Sequence, residues 1–328
     1  MEGPLQADKK QDTFITVSRD ELLAGASKLS FDLFSVDLDK EDLEPRLLCR
    51  RGTSAAAVAD ILKERVFAKL LIRKEALQSF YDHMEGALSA IIDNPRLPTA
   101  KKSNLIYTCA TKVMQDIYND PRSGDNLARS RQMSDTIIKY TLSDPASIPS
   151  LLSLSSHDYY TFTHCVNVAV FAVGLWQFIG LGSEEELREF ALGCILHDVG
   201  KSAIADAILN KPGRLTAEEF ATIKTHPGKG YALMAESLSP TALDIILHHH
   251  ERYDGSGYPE SLQGDGISDN AKVAIIADVY DALTTNRPYG EARDPFAALL
   301  LMKEKMVGHF EQKKFIAFIK FLSNTRNG

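Results

Sequence analysis

Between Tyr159 and Ser183 the chain carries no formally charged residue, and the run CVNVAVFAVGLWQFIGLG approaches the length of a membrane span. A helix that is apolar on every side has two destinations, a lipid bilayer or the centre of a packed bundle. His164 opens this one, Asn167 and Gln177 lie inside it, and Glu184, Glu185 and Glu186 follow where basic anchors would flank a membrane span. It therefore reads as a core helix covered on both sides, and the chain must supply a helical bundle to surround it. No membrane insertion is expected.

With 328 residues the chain has room for two domains. A hydrophobic content of 44% suits sizeable cores in an ordinary globular protein. The net charge of -7 provides no broad basic field, which counts against long nucleic acid or an anionic membrane as a partner. A small anionic ligand stays open, because one pocket can be cationic on an acidic protein. Cys49, Cys109, Cys165 and Cys194 are scattered and form no CxxC pair, so a reducing compartment is expected rather than a disulfide framework or a zinc ribbon. The opening MEGPLQADKKQDTF lacks the apolar segment of a signal peptide, and a cytoplasmic location is expected.

Residues 13–74 mix short β-like runs (TFITVS, FDLFSVD, RLLCRR and AKLLIRK) with one Ala-rich helical segment, AAAVADILKERV. This is the pattern of a small mixed α/β module. Helical periodicity follows over 76–92 and roughly 100–118, broken by Asn94-Pro95 and Leu97-Pro98. After the turn cluster PRSGDN at 121–126, ARSRQMSDTIIKYTL restarts a helix that Asp144-Pro145 ends, and from there to about residue 324 nearly everything reads as helix. The expected fold class is α+β overall. An N-terminal α/β module would occupy 1–120, a linking helix 121–145 and an all-α bundle 146–328, with the boundary near 120–135. The module is read as a sensor, a docking surface or a dimerisation element. The helix at 124–144 is a candidate for a parallel dimer contact, and the acidic DLDKEDLE at 37–44 reads as a solvated loop.

Seven of the nine histidines lie within residues 157–250, recurring at helix-to-helix separations. His197-Asp198 sits at the end of the apolar helix FALGCILHDVGK, with Gly200 as a helix stop, so imidazole and carboxylate would emerge together at the last turn. A carboxylate buried there needs a partner, and a cation is a good one. A helix end hydrogen-bonded only to backbone is the alternative. In AKVAIIADVYDALTT, Val273, Ile276, Ala277, Tyr280 and Leu283 form one apolar stripe, while Ala274, Asp278 and Asp281 share another face. That helix is apolar on more than one side, so Asp278 is expected to be buried, as a site residue or paired with Arg287 or Arg252. His and Asp ligands suit iron, manganese, nickel or zinc. Two such ions about 4 Å apart can bridge a hydroxide and clamp a phosphoryl group. A bridge between two ions takes a carboxylate, for which Asp198 is the natural candidate. The pattern points to metal-assisted phosphoester hydrolysis.

HDVGK, ILNKPGRLTAEEF, KTHPGKG, HHERYDGSGYP and IADVYDALTTNRPY, in this order and at these separations, resemble the HD-GYP branch of the HD metal-dependent phosphohydrolases. The resemblance covers about residues 135–310 and leaves 1–120 unassigned. It implies an all-helical domain that hydrolyses the bacterial second messenger cyclic di-GMP at two divalent transition-metal ions, iron first or manganese. The implied ligands are His164, His197, Asp198 as the bridging carboxylate, His226, His249, His250 and Asp278. His248, His157 and His83 are read as neighbours rather than ligands. Lys201 and Arg287 are the implied phosphate contacts. Gly255, Gly257 and Pro259 suit a loop whose backbone runs close to ligand or to a partner surface, and Tyr258 would stack on a guanine or hydrogen-bond to substrate. Some relatives carry a Glu four residues before the first ligand histidine, which permits a third metal. Tyr160 stands there in this chain, so two ions are expected, with 5′-pGpG as main product and slow onward cleavage to GMP. VGHFEQKKF also lacks the family's usual Asp-Pro pair. Two rival readings remain: a catalytically weak module that binds metal and nucleotide and signals through partners, and a hydrolase of another cyclic dinucleotide.

Overall fold

The computed structural model describes residues 13–24, 28–37, 44–154, 161–211, 213–286 and 292–326. By contacts the chain divides into two units, Met1–Leu105 and Ile106–Gly328. The division falls earlier in the chain than the break expected near 120–135.

In the first unit each expected β-like run becomes a strand: β1 (Phe14–Val17), β2 (Leu33–Asp37), β3 (Arg46–Cys49) and β4 (Phe67–Arg73). They pair antiparallel throughout in the order β1-β4-β2-β3, with Phe14 opposite Arg73, Phe34 opposite Leu71 and Leu33 opposite Cys49. The mixed module is thus a small antiparallel sheet with helices beside it. Phe34, Val36 and Leu71 form a buried cluster, and Phe14 meets Phe34 edge-to-face at 5.0 Å between ring centres. Helices α1 (Arg19–Ala24), α2 (Ala55–Glu64), α3 (Leu77–Glu85) and α4 (Leu88–Asp93) complete the unit, with α5 (Thr99–Asn119) crossing the division. Ser54 caps α2 by accepting the Ala57 amide. The helical periodicity over 76–92 becomes two helices, parted at Gly86 and Ala87.

The second unit is helical, as its composition requires. After α6 (Gly124–Ser143) and α7 (Ser147–Leu152) come α8 (Thr161–Ile179) and α9 (Glu184–Leu196). A 3-10 turn (Val199–Ala203) leads to α10 (Asp206–Leu209), α11 (Ala217–Ile223), α12 (His226–Met234) and α13 (Pro240–His248). The last three are α14 (Asp269–Thr284), α15 (Pro295–Lys305) and α16 (Gln312–Arg326). The uncharged stretch is α8. Among the described residues it alone is long and apolar enough to cross a membrane, yet every residue from His164 to Trp176 is buried inside the unit. Helices α6, α7, α9, α14 and α16 all pack on it. The glutamates that follow it start α9: Ser183 accepts the Glu186 amide while Glu186 accepts that of Ser183, a reciprocal cap. The helix expected as a linker is α6, whose buried face of Met133, Ile137 and Tyr140 belongs to this unit, with α9 beside it.

Candidate metal centre

The expected ligands come from different helices and meet at one place. His164 lies in the first turn of α8, His197 caps the end of α9, and Asp198 opens the 3-10 turn behind it. His226 begins α12, His249 caps α13 with His250 directly after it, and Asp278 lies within α14. His164, His197, Asp198, His226 and His249 are at most 1% exposed and Asp278 5%, whereas the His250 side chain is 25% exposed. Gly200, expected only as a helix stop, does more. A Cβ there would lie 1.9 Å from the His226 carbonyl oxygen and 2.5 Å from the Gly230 nitrogen. Glycine is what lets the HDVGK turn sit on the start of α12 and bring Asp198 to His226.

The outer nitrogen of each ring fixes its tautomer. His197 Nδ1 lies 2.8 Å from the Cys194 carbonyl oxygen, His226 Nδ1 2.8 Å from that of Ile223, and His249 Nδ1 3.0 Å from that of Ile246. His164 Nδ1 lies 2.7 Å from Asp281 Oδ2. Those oxygens only accept, so each Nδ1 donates, and the tautomer compatible with that has its bare Nε2 toward the centre. There the lone pairs meet other acceptors. His226 Nε2 is 3.1 Å from both His249 Nε2 and Asp198 Oδ1, and His164 Nε2 is 3.1 Å from Asp278 Oδ1. His197 Nε2, 3.5 Å from Asp198 Oδ2, is buried without a hydrogen-bond partner, as is Asp198 Oδ1. Acceptors facing one another away from water are unfavourable unless protons or a cation lie among them.

Protonation is opposed. Burial pushes the His197 imidazole down, and at His249 burial and the neighbouring rings of His250, His197 and His226 push it further. Burial holds His250 down at about 3, against the pull of Asp278. Burial also works against ionising Asp198 and Asp278, but it is outweighed. Lys201 and His197 hold Asp198 well below the usual carboxylate range, and His164 and His250 hold Asp278 below it. Neutral imidazoles and ionised carboxylates are the states that bind metal. The donor set fits borderline transition ions.

Asp198 stands at the junction of two such groups. Asp198, His226, His249 and His250 each offer an atom within 4.8 Å of the others', and so do His164, His197 and Asp198. Its Oδ1 faces His226 and His249 while Oδ2 faces His164 and His197, the disposition expected of a bridging carboxylate. Asp278 lies beside both groups, with Oδ1 4.0 Å from His197 Nε2 and Oδ2 3.5 Å from His250 Nδ1. It is paired with histidines, not with Arg252. Lys201 Nζ is 2.5 Å from Asp198 Oδ2, which puts a positive charge at the centre's edge.

Tyr258 lies beside the centre, its ring 4.8 Å from that of His250, with Lys224 Nζ 5.0 Å from the centre of the Tyr258 ring. Gly257 was expected to approach ligand or a partner; the close approach is to the chain itself. A Cβ at Gly257 would lie 2.4 Å from the Arg252 nitrogen and 2.5 Å from Glu251 Cα. His248 bonds Asp244 at 2.7 Å and Glu260 at 3.3 Å, and His83 is buried in the first unit; both are outside the ligand groups, as expected. Arg287, Tyr160 and His157 lie outside the described residues.

Two supporting carboxylates escaped the sequence reading. Fully buried Glu251 accepts the Glu260 amide at 2.7 Å and the Leu262 amide at 3.1 Å, tying the glycine loop down beside His250. Asp281 orients His164 and accepts Asn167 Nδ2 at 2.9 Å. The available signals were Asn167 one turn after His164 in an otherwise apolar helix, and Asp281 on the face of Asp278.

Residues 180–313 match a family model described as an HD domain. A cyclic di-GMP phosphodiesterase of Pseudomonas aeruginosa is 37% identical over 220 residues, which are 66% of this chain and 53% of that protein. Residues 180–313 of the helical unit thus carry an HD domain. A 3′3′-cGAMP-specific phosphodiesterase of Vibrio cholerae is 40% identical over 159 residues, 47% of this chain and 30% of that protein. The chain therefore spans about half the length of the first of these relatives and less of the second. A solved structure from Bdellovibrio bacteriovorus, described as an HDG"Y"P protein, aligns with a TM-score of 0.66 at 18% identity, over 94% of this chain and 99% of that one. That likeness bears on the fold.

Proposed function

We propose that the helical unit is an HD-GYP domain and a metal-dependent phosphodiesterase that hydrolyses cyclic di-GMP to 5′-pGpG, with slow onward cleavage to GMP. The observation that carries this is Asp198, buried between two sets of imidazoles whose bare nitrogens converge on it. His164 and His197 on one side, and His226, His249 and His250 on the other, would hold two ions, with Asp278 beside both sets. When bound, two such ions supply Lewis-acid activation of water and offset charge on a phosphoryl group. The chain's own groups do the rest. Lys201 places a cation next to Asp198, where a scissile phosphate enters and charge builds up. Arg287 is proposed as the second phosphate contact, and the Tyr258 ring as the surface on which a base rests. Gly257 serves by letting the loop that carries Tyr258 fold against Glu251 and Arg252. Iron or manganese is the proposed occupant, with nickel or zinc as substitutes, and the domain is proposed to work in the cytoplasm.

Cleavage of 3′3′-cGAMP is the second reading, favoured by the 40% identity to the Vibrio cholerae protein of that name. Among the described residues the first unit contributes to neither ligand group, which suits sensing, docking or dimerisation rather than chemistry. Chromatography of products from cyclic di-GMP and 3′3′-cGAMP, offered separately to anaerobically purified protein, tests the assignment. Faster 5′-pGpG formation from cyclic di-GMP supports it, and preferential opening of 3′3′-cGAMP replaces it with the second reading. No turnover of either with iron or manganese present would leave only a binding module.

A further inference from the structure

The hydrogen bonds behind His164 continue beyond Asp281. Asp281 Oδ1 accepts both Asn167 Nδ2 at 2.9 Å and the Thr285 hydroxyl at 3.1 Å, while Oδ2 takes His164 Nδ1. The other end of the Asn167 amide, Oδ1, accepts the Tyr107 hydroxyl at 2.9 Å. Tyr107 belongs to α5, upstream of the residues that match the HD domain model. An unbroken path thus runs from a phenol on α5 through an amide and a carboxylate to a metal-facing imidazole.

The path has a required direction. An amide can be turned end for end at little steric cost, and its two orientations differ only in which atom donates. Here Asn167 must aim its NH₂ at Asp281, because its oxygen there would face a carboxylate. The Tyr107 hydroxyl selects that orientation by donating to the opposite end. With Asn167 and Thr285 both donating to Oδ1, the Asp281 carboxylate is held with Oδ2 toward His164, where it accepts from Nδ1. Asn167 and Asp281 are 1% exposed, so water does not replace a lost partner.

We infer that Tyr107 is a positioning residue for the His164 side of the metal centre, acting through Asn167 and Asp281. The inference rests on the metal-centre reading but not on the identity of the nucleotide. Partners that orient a ligand histidine are worth about 10–100-fold in metal affinity, and Tyr107 acts one step further out. Loss of its hydroxyl in Tyr107→Phe is expected to weaken one ion about tenfold and leave the other unchanged, because His226, His249 and His250 do not share this path.

The test is a Mn²⁺ titration of metal-free full-length protein, with Tyr107→Phe placed in two backgrounds. In His226→Ala, which leaves the His164 group, the Tyr107→Phe change should weaken Mn²⁺ binding about tenfold. In His164→Ala, which leaves the other group, it should have no effect. Asn167→Ala should follow the same pattern with a larger loss. Equal weakening in both backgrounds would mean a general structural role, and no weakening in either would mean that the path carries nothing; either result overturns the inference. Should the paired variants fail to fold, Tyr107→Phe alone decides by whether one of the two Mn²⁺ ions is lost first on dilution. Wild-type protein that takes up no Mn²⁺ would overturn this inference and the metal-centre reading together. Wild-type protein that binds Mn²⁺ but leaves cyclic di-GMP intact would overturn only the proposed substrate.

Discussion

At the scale of single residues, the side chains that converge at the candidate metal centre were legible and the groups that hold them in place were not. His197, Asp198 and Asp278 announce themselves because a buried charge or a polar helix end is unusual in apolar surroundings. Asp281 and Tyr107 do not, because their meaning lies in contacts with residues 114 and 60 positions away through Asn167. Glu251 was equally silent: it stands in the HHE triplet, but its carboxylate serves the backbone of the loop. Glu251→Gln replaces one acceptor with a donor that faces a buried N–H, at a cost of about 1–3 kcal/mol. Reduced thermal stability and turnover with metal content kept is the expected outcome, checked by calorimetry beside elemental analysis. Loss of both metals instead would mean that Glu251 supports the ligands themselves.

The same residues set a pH dependence for the metal-free protein. His197, His249 and His250 have folded values below the ordinary value of about 6.5, so the unfolded chain binds their protons first. Their charging therefore destabilises the fold as pH falls from about 6.5 toward the folded values, with His250 reached at about 3. Asp198 and Asp278 are lowered too, so their contribution is present above about 3.9 and is lost as pH falls further. Urea unfolding of metal-free protein should show stability declining from pH 7 to pH 5, and a flat profile would contradict the buried neutral histidines. Added Mn²⁺ should raise stability at pH 7 by mass action and lose that effect on acidification.

Among the elements, strands and helices followed their local signals. Each β-like run of the first unit became a strand, and Asp144-Pro145 closed α6 as expected. Strand order and register lay beyond reach, since they follow from which faces pack rather than from any one run. The two glycines that matter also acquire their meaning only through distant backbone. Gly200→Ala forces a Cβ into the His226 carbonyl oxygen and should cost about 1–3 kcal/mol or more. It should also lower metal content, since it parts Asp198 from His226. Ser183→Ala removes one half of the α9 cap, should cost about 1 kcal/mol, and should leave metal content unchanged. Equal effects of the two substitutions on metal content would contradict the role given to the turn.

For the molecule as a whole, the uncharged stretch decided the class of the second unit. A helix buried from His164 to Trp176 demands covering helices, and two of these, α9 and α14, bring His197 and Asp278 beside its first turn. The sheet-bearing unit was legible as a fold and silent about its role, because no metal-ligating cluster marks its described residues. In the proposed centre Asp198 joins two metal positions. Elemental analysis of protein purified without oxygen, for wild type, Asp198→Ala and His226→Ala, tests that claim most directly. About two ions per chain in the wild type, near-complete loss in Asp198→Ala and retention of one in His226→Ala is the predicted pattern. Two ions retained in Asp198→Ala would contradict it.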